Sequence, residues 1–238
     1  MEPVYIVGAG PGDPDLITVR GLDLLRSADV LVYTGSLVSM ALVARSPAAV
    51  KVNSHGMHLG DLVNLMAEHI RAGKTVVRLH TGDPSLFGAI VEQIDGLRVQ
   101  GIDVVIVPGV SSMNAAAAAL QIQLTLKDVA EALIVARPAG KTLEEDEIRE
   151  LSRHRATLVI FLGTERMEEV LSRVECPPTT PAAVVYHASW PDQKIVRGTV
   201  ADVAARARAA GITKTALLII GGVVDPGSRE RRRSVLYS

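Results

Sequence analysis

Three stretches carry residues whose types and spacing could do chemistry. The first is Gly8-Ala-Gly-Pro-Gly-Asp-Pro-Asp15, with three glycines, two prolines and two carboxylates. The second is His80-Thr-Gly-Asp-Pro-Ser-Leu-Phe-Gly88, and the third is Pro108-Gly-Val-Ser-Ser112. Glycines let a backbone turn sharply and approach a bound molecule closely. A dinucleotide is the first ligand to test. Gly8-x-Gly10 opens the G-x-G-x-x-G fingerprint, but its third glycine position is Asp13, a carboxylate where close helix–strand packing wants no side chain. The ribose-binding acid expected about 20 residues on is replaced by Thr34-Gly35-Ser36. Phosphate loops aim backbone N–H groups at the anion. Pro11 and Pro14 remove two such donors, and Asp13 and Asp15 would repel phosphate. The loop suits a ligand with hydroxyls or positive charge. Taken alone, it could also be a tight structural turn, with Asp13 fixing it through an Asx-turn.

Asp13, Asp15 and His55 are the candidates for a general base, and no residue is assigned to that role. His55 and His58 offer only two ligands of suitable spacing, which reads as a polar loop rather than a metal site.

The elements that position these residues follow from apolar runs and breakers. Val4–Val7 reads as a buried strand, and Thr18 opens a helix. Strands follow at 28–34, 51–53 and 75–79, with an amphipathic helix over 61–72 ended by Gly73. Asp83 as N-cap and Pro84 as first helical residue predict a helix from Ser85 to about Val99. A strand over 103–107 leads to a helix containing Ala115–Ala119. Three of these strands therefore end in glycine turns before helices, and in an open parallel sheet ligands bind outside the carboxyl ends of strands. In the second half, strands are expected at 132–136, 156–162, 181–188 and 215–220. A charged helix is expected over 142–154, and Thr164 can cap the helix after Gly163. Ser189–Gln193 reads as a turn, and Thr199 to Asp202 as a capping box before a helix to Ala210. The reading is two α/β domains, 1–122 and 123–238, with the cleft between them as the default ligand site.

Bulk properties narrow the partners. Among 238 residues 48% are apolar, enough for a full core, and the net charge of −1 gives no case for nucleic acid or an anionic membrane. Aromatic residues make up 3%, which argues against base-stacking platforms. Cys176 is the single cysteine, which fits a reducing cytoplasm. Met1-Glu2-Pro3 leads straight into the first strand without a signal-like segment, and no apolar run reaches the roughly 18 residues of a membrane span.

As an ordered set, Val7-Gly-Ala-Gly-Pro-Gly-Asp-Pro-Asp-Leu16, Gly82-Asp-Pro-Ser-Leu-Phe-Gly88, Pro108-Gly-Val-Ser-Ser112 and Thr215-Ala-Leu-Leu-Ile-Ile-Gly221 resemble the tetrapyrrole (precorrin) methyltransferases of cobalamin biosynthesis. The likeness runs from Val4 to about Val224. Tyr33-Thr-Gly-Ser-Leu-Val38 and Met57-His58-Leu59 are most similar to the branch that methylates precorrin-4 at carbon 11. The uroporphyrinogen branch carries an acid where Thr34-Gly35 stands here, so its proposed base is not carried over. The resemblance implies the class III methyltransferase fold, S-adenosylmethionine as methyl donor, a tetrapyrrole substrate and a homodimer; from the histidine spacing, no metal is expected. It places donor contacts on Pro11, Thr81, Gly82, Asp83, Ser111 and Ser112. In the second lobe it places them on Leu162, Ala188, Thr215, Ala216 and Leu217, with Leu162 standing where relatives commonly have methionine. A sulfonium with a ribose and no phosphate agrees with the loop chemistry, and Asp83 suits a ribose hydroxyl or the ammonium group. A substrate rich in carboxylates would need local basic groups. Arg78, Lys127, Arg137 and Lys141 lie near strand exits or the interlobe segment and read as ordinary surface charges, and Arg229–Arg233 as a solvated tail. The alternatives are a methylase of the same fold acting on uroporphyrinogen, cobalt-precorrin-4 or RNA, a nicotinamide-dependent dehydrogenase, and a non-catalytic tetrapyrrole-binding protein.

Overall fold

Strand β1 (Val4–Gly8) is the apolar run that opens the chain, and it lies inside a sheet covered on both faces. The structure is a computed structural model that describes residues 2–140 and 143–228. After β1 come α1 (Val19–Ser27), β2 (Val30–Tyr33), the single-turn α2 (Met40–Val43) and β3 (Val50–Asn53). They are followed by α3 (Leu59–Arg71), β4 (Val76–His80), α4 (Val91–Val99) and β5 (Val104–Val107). The strands pair only in parallel, in the order β3-β2-β4-β1-β5. A parallel sheet is buried on both faces, and the side chains divide accordingly. Val7, Leu31, Val77 and Leu79 pack with Leu25 of α1 and Leu42 of α2. Val4, Val30, Val32 and Val76 pack with Leu62, Met66 and Ile70 of α3 and Leu97 of α4. Helix α3 ends where the sequence places its stop. Gly73 takes φ +73°, and the Lys74 N–H reaches back to the His69 carbonyl at 3.0 Å, a left-handed glycine closure.

The chain divides into two units, Met1–Ser112 and Met113–Ser238. Helix α5 (Ser112–Leu120) explains where the division falls. Its Ala115, Ala116 and Leu120 pack against Val159, Ala183, Leu217 and Ile219 of the second sheet. The sequence places the boundary after residue 122, at the far end of this helix. The second unit continues with β6 (Leu133–Ala136), α6 (Ile148–Leu151), β7 (Thr157–Ile160), α7 (Met167–Arg173) and β8 (Pro181–Tyr186). It is completed by β9 (Lys194–Thr199), α8 (Val203–Ala209) and β10 (Ala216–Ile220). The strand order is β6-β7-β10-β8-β9, with β6 and β7 parallel and β10 antiparallel to both its neighbours. Helices α7 and α8 cover one face through Val170, Val203 and Ala207, while α5 covers the other.

Three local expectations are corrected and one unforeseen strand is added. The helix expected from Ser85 begins only at Val91. Phe87 and Ala89 take φ of +54° and +45°, outside the α region, and the Asp83 carboxylate ties the loop to other groups instead of capping a helix. The charged helix expected over 142–154 shrinks to α6, because the Asp146 carboxylate draws the Ala139 and Ile148 N–H groups into a loop. Strand β9 was not expected: Lys194, Arg197 and Thr199 interrupt its apolar pattern, and its pairing with β8 supplies the order. The Thr199–Asp202 motif forms only its reciprocal half, in which Asp202 accepts the Thr199 N–H at 2.6 Å and is itself the N-cap of α8.

Candidate functional site

Strands β1 and β4 lie side by side, yet the chain leaves β1 toward β2 and leaves β4 toward β5, on opposite sides. Each exit loop therefore runs past the other strand, so the two loops cross on their way to helices on opposite faces, which is the kind of switch point at which open α/β sheets bind ligands. The loops meet first as bare backbone. The Gly82 N–H donates to the Gly10 carbonyl at 2.9 Å, and the Gly10 N–H donates to that of Gly82 at 3.3 Å. A Cβ on Gly8 would stand 2.6 Å from Gly109 Cα, and one on Gly109 would stand 2.3 Å from Gly82 O. So the three glycine-marked exits touch one another: Gly8 and Gly109 have no room for a side chain, and Gly82 takes a left-handed φ of +59°.

Asp83 locks this crossing. Its Oδ2 accepts the Gly109 N–H at 2.9 Å, and its Oδ1 accepts the Ser85 N–H at 2.8 Å and the Ser85 hydroxyl. Burial pushes the Asp83 carboxyl up, but the bonds from Ser85 and Gly109 and the nearby His80 outweigh it and hold it below its usual range. Both carboxylate oxygens thus already brace the loop, and their remaining lone pairs are what a ligand can use. Pro11 and Ser111 are buried at the same edge, with Thr81, Gly82 and Ser112 half-buried. His80, a brace that the sequence reading did not single out, is 9% exposed. Its Nε2 lies 2.8 Å from the Gly88 carbonyl oxygen and its Nδ1 3.0 Å from that of Thr81, spanning the loop. Burial lowers its pKa, and the charge of Arg78 acts in the same direction against the pull of the two carbonyls and Asp83. The signal for His80 in the sequence is only its place as the last residue of a strand before Thr-Gly-Asp.

The candidate bases are not gathered. Asp13 makes the expected Asx-turn, accepting the Asp15 N–H at 2.9 Å, and Asp15 forms an exposed ion pair with Arg45. His55 is exposed at the exit of β3, three strand spacings or about 14 Å from β1. There Asn53 Oδ1 accepts the N–H groups of Gly35 and His55, each at 3.0 Å, and joins the exits of β2 and β3. His58 is the exposed N-cap of α3. Among the described residues no group of three or more His, Cys, Asp or Glu could hold a metal ion.

In the second unit, β6, β7 and β8 end at the edge where β10 begins. Four non-glycine residues there take left-handed φ: Leu162 (+56°), His187 (+47°), Ser189 (+72°) and Thr215 (+57°). Strain of this kind concentrates at functional sites and persists only where its surroundings enforce it. Four of the resemblance-derived positions, Leu162, Ala188, Thr215 and Ala216, are either strained or directly next to a strained residue. Leu162 is 68% exposed, an apolar side chain held out at a strand exit. Ala188 and Ala216 are buried, and Leu217 points into the core, which leaves its backbone for any contact. Thr164 ties this edge together, its hydroxyl donating to the Ala216 carbonyl at 2.8 Å and accepting the Ala216 N–H at 3.1 Å.

The basic groups divide. Arg78 is no surface charge: it is 4% exposed, because β4 is an inner strand and position 78 faces α3 and α4. Its Nε donates to Gln93 Oε1 at 3.2 Å, its Nη1 makes no hydrogen bond among the described residues, and burial lowers its pKa to about 10. Lys127 is exposed and Arg137 half-buried, while Lys141 and Arg229–Arg233 lie outside the described residues.

Comparison with known proteins places these features. The family model described as Tetrapyrrole (Corrin/Porphyrin) Methylases matches residues 3–204. A protein of Methanocaldococcus jannaschii named cobalt-precorrin-4 C(11)-methyltransferase is 48% identical over 94% of this chain and 88% of its own length. The X-ray structure of a cobalamin biosynthetic enzyme, cobalt precorrin-4 methyltransferase, superposes with a TM-score of 0.90 at 46% identity, covering 94% of this chain and 96% of that one. A uroporphyrin-III C-methyl transferase of Thermus thermophilus, crystallised with S-adenyl homocysteine, gives a TM-score of 0.80 at 32% identity over 93% of this chain and 98% of that one.

Proposed function

This chain belongs to the tetrapyrrole (corrin/porphyrin) methylases, and on that premise we propose that it methylates precorrin-4 at carbon 11 in cobalamin biosynthesis, with S-adenosylmethionine as donor. The observation that carries the reading is the glycine crossing at the β1/β4 switch point braced by Asp83, in a loop whose prolines and carboxylates disfavour phosphate. The name of the Methanocaldococcus jannaschii relative favours a second form of the substrate, the cobalt-bound ring.

Donor contacts fall on Pro11, Thr81, Gly82, Asp83, Ser111 and Ser112 of the first unit. In the second unit they fall on Leu162, Ala188, Thr215, Ala216 and Leu217. The donor supplies an electrophilic methyl group on a sulfonium. The chain's task is placement, since holding two reactants in line at about 3–3.5 Å supplies roughly 7–11 kcal/mol. Loops fixed by backbone crossing and by the His80 and Asp83 braces are suited to that task, because they lose little order on binding. The separation of Asp15 from His55 supports a reaction that does not turn on a paired acid and base. The enzyme acts as a cytoplasmic homodimer without a metal, its partner being the tetrapyrrole rather than nucleic acid or membrane. No described helix is long and apolar enough to cross a membrane.

The test is incubation with isotopically labelled donor and, separately, precorrin-4 and cobalt-precorrin-4, followed by mass and carbon NMR of the product. Label at carbon 11 is expected. Label on another carbon, or no turnover of either ring, would refute the assignment.

A further inference from the structure

The turn after β8 is held by a device that the donor reading does not use. His187 and Ser189 take φ of +47° and +72°, a region that side chains enter only when neighbours enforce it. Asp192 enforces it. Both of its carboxylate oxygens lie 3.0 Å from His187 Nδ1, and because a carboxylate only accepts, Nδ1 carries the proton. The hydrogen bond from His187 is the largest influence that holds the Asp192 carboxyl below its usual range. The imidazole stacks on Tyr186 with ring centroids 3.8 Å apart and planes at 16°, and the Trp190 ring lies at 5.3 Å. The backbone closes around this pair. The Trp190 N–H donates to the His187 carbonyl at 2.9 Å, and the Ser189 N–H donates to Gln193 Oε1 at 2.8 Å. Ala188, between the two strained residues, is thereby fixed at 5% exposure. His187 Nε2 makes no hydrogen bond among the described residues, so Asp192 is the polar anchor of the ring.

We propose that His187 is a positioning residue: paired with Asp192, it holds the 187–193 turn in the strained form that presents Ala188 to the methyl donor. This rests on the reading of Ala188 as a donor contact. The role needs a side chain that can grip a carboxylate from a left-handed backbone position; it does not need proton transfer. A guanidinium, whose fork matches two carboxylate oxygens, fulfils the same requirement.

The experiment compares the wild-type protein with His187→Ala, His187→Arg and Asp192→Ala. Affinity for S-adenosylhomocysteine is measured by calorimetry, and donor KM and kcat by steady-state rates. His187→Ala is expected to raise the donor Kd about tenfold, the effect of losing ~1.4 kcal/mol. Donor KM should rise in step, with kcat at saturating donor unchanged. His187→Arg restores Kd to within about threefold of wild type. Wild-type Kd in His187→Ala would overturn the proposal, and so would a His187→Arg variant no better than His187→Ala. A loss confined to kcat would also overturn it, since the ring would then be acting on the reacting atoms. Should His187→Ala not fold, Asp192→Ala removes the acceptor from the other side of the pair, and an unchanged Kd there refutes the clamp. Ala188→Leu separates the two layers. If it binds donor normally, the reading of Ala188 falls and the proposal with it. If it binds weakly while His187→Ala binds normally, only the clamp falls.

Discussion

The crossing of Gly8, Gly82 and Gly109 makes Gly109→Ala a severe single-methyl change in the first unit. Its Cβ would stand 2.3 Å from the Gly82 oxygen and 2.8 Å from Gly8 Cα, against an ordinary contact beginning at 3.4 Å. The Gly82 carbonyl must therefore retreat by 3.4 − 2.3 = 1.1 Å. Every atom in the way is backbone, so no side chain can swing aside. The retreat strains the 3.3 Å bond from the Gly10 N–H and the 2.9 Å bond from the Gly109 N–H to Asp83. Overpacking costs about 1–3 kcal/mol, and a lost bond to a charged acceptor about 1.5–3 kcal/mol. The expected destabilisation is ~3–6 kcal/mol, a large share of a typical stability of about 5–15 kcal/mol. Because the displaced loop carries Gly82 and Asp83, turnover should also fall by about 10²-fold, the usual effect of a 1 Å misplacement. The assays are urea unfolding and methyl transfer at saturating donor. Gly60→Ala is the control: nothing lies within 4 Å of its Cβ, it sits inside α3, and it should gain up to about 1 kcal/mol. A Gly109→Ala protein with wild-type stability and turnover would refute the reasoning.

Asp146→Ala should destabilise by about 3–5 kcal/mol in calorimetric melts. Its side chain is 3% exposed, sits 3.0 Å from Arg173 and accepts the Ala139 and Ile148 N–H groups, all of which would lose their partner. The same carboxyl gives a pH dependence. Burial raises its pKa, but the Ala139, Ile148 and Arg173 bonds outweigh that and leave it below its unfolded value. Its stabilisation is therefore complete above the ordinary carboxylate value of about 4 and is lost as pH falls through the lower folded value. Asp146→Asn should flatten the acid limb of the stability–pH curve, and an unchanged limb would exclude this carboxyl as its source. Thr164→Val removes both bonds to Ala216 and should cost about 1–3 kcal/mol, with faster hydrogen exchange at the Ala216 amide. Equal exchange in the variant would show that Thr164 does not hold the edge.

The sequence stops short in three places for the same reason. Arg78 looks like any arginine near a strand end, and only the position of β4 as an inner strand buries it. Asp83-Pro84 has the form of a helix start, but the competing partner for its carboxylate, the Gly109 N–H, lies 26 residues away. His187 and Asp192 are neighbours in the chain, yet their pairing depends on a left-handed φ that no propensity scale favours for histidine.

The sequence by itself determined the parts that depend on near neighbours. These are the apolar strands, the glycine breaks after them, the closure of α3 at Gly73, the Asx-turn of Asp13 and the ordered motifs that mark the family. Tertiary structure alone decided which breaks meet. The order β3-β2-β4-β1-β5 sets the exits of β1 and β4 side by side and leaves that of β3 apart. The second sheet gathers Leu162, His187, Ser189 and Thr215 along one edge. Turns and helix caps are fixed by energies acting over a few residues, whereas strand order is fixed by burying both faces of a whole sheet, a condition that no local window contains.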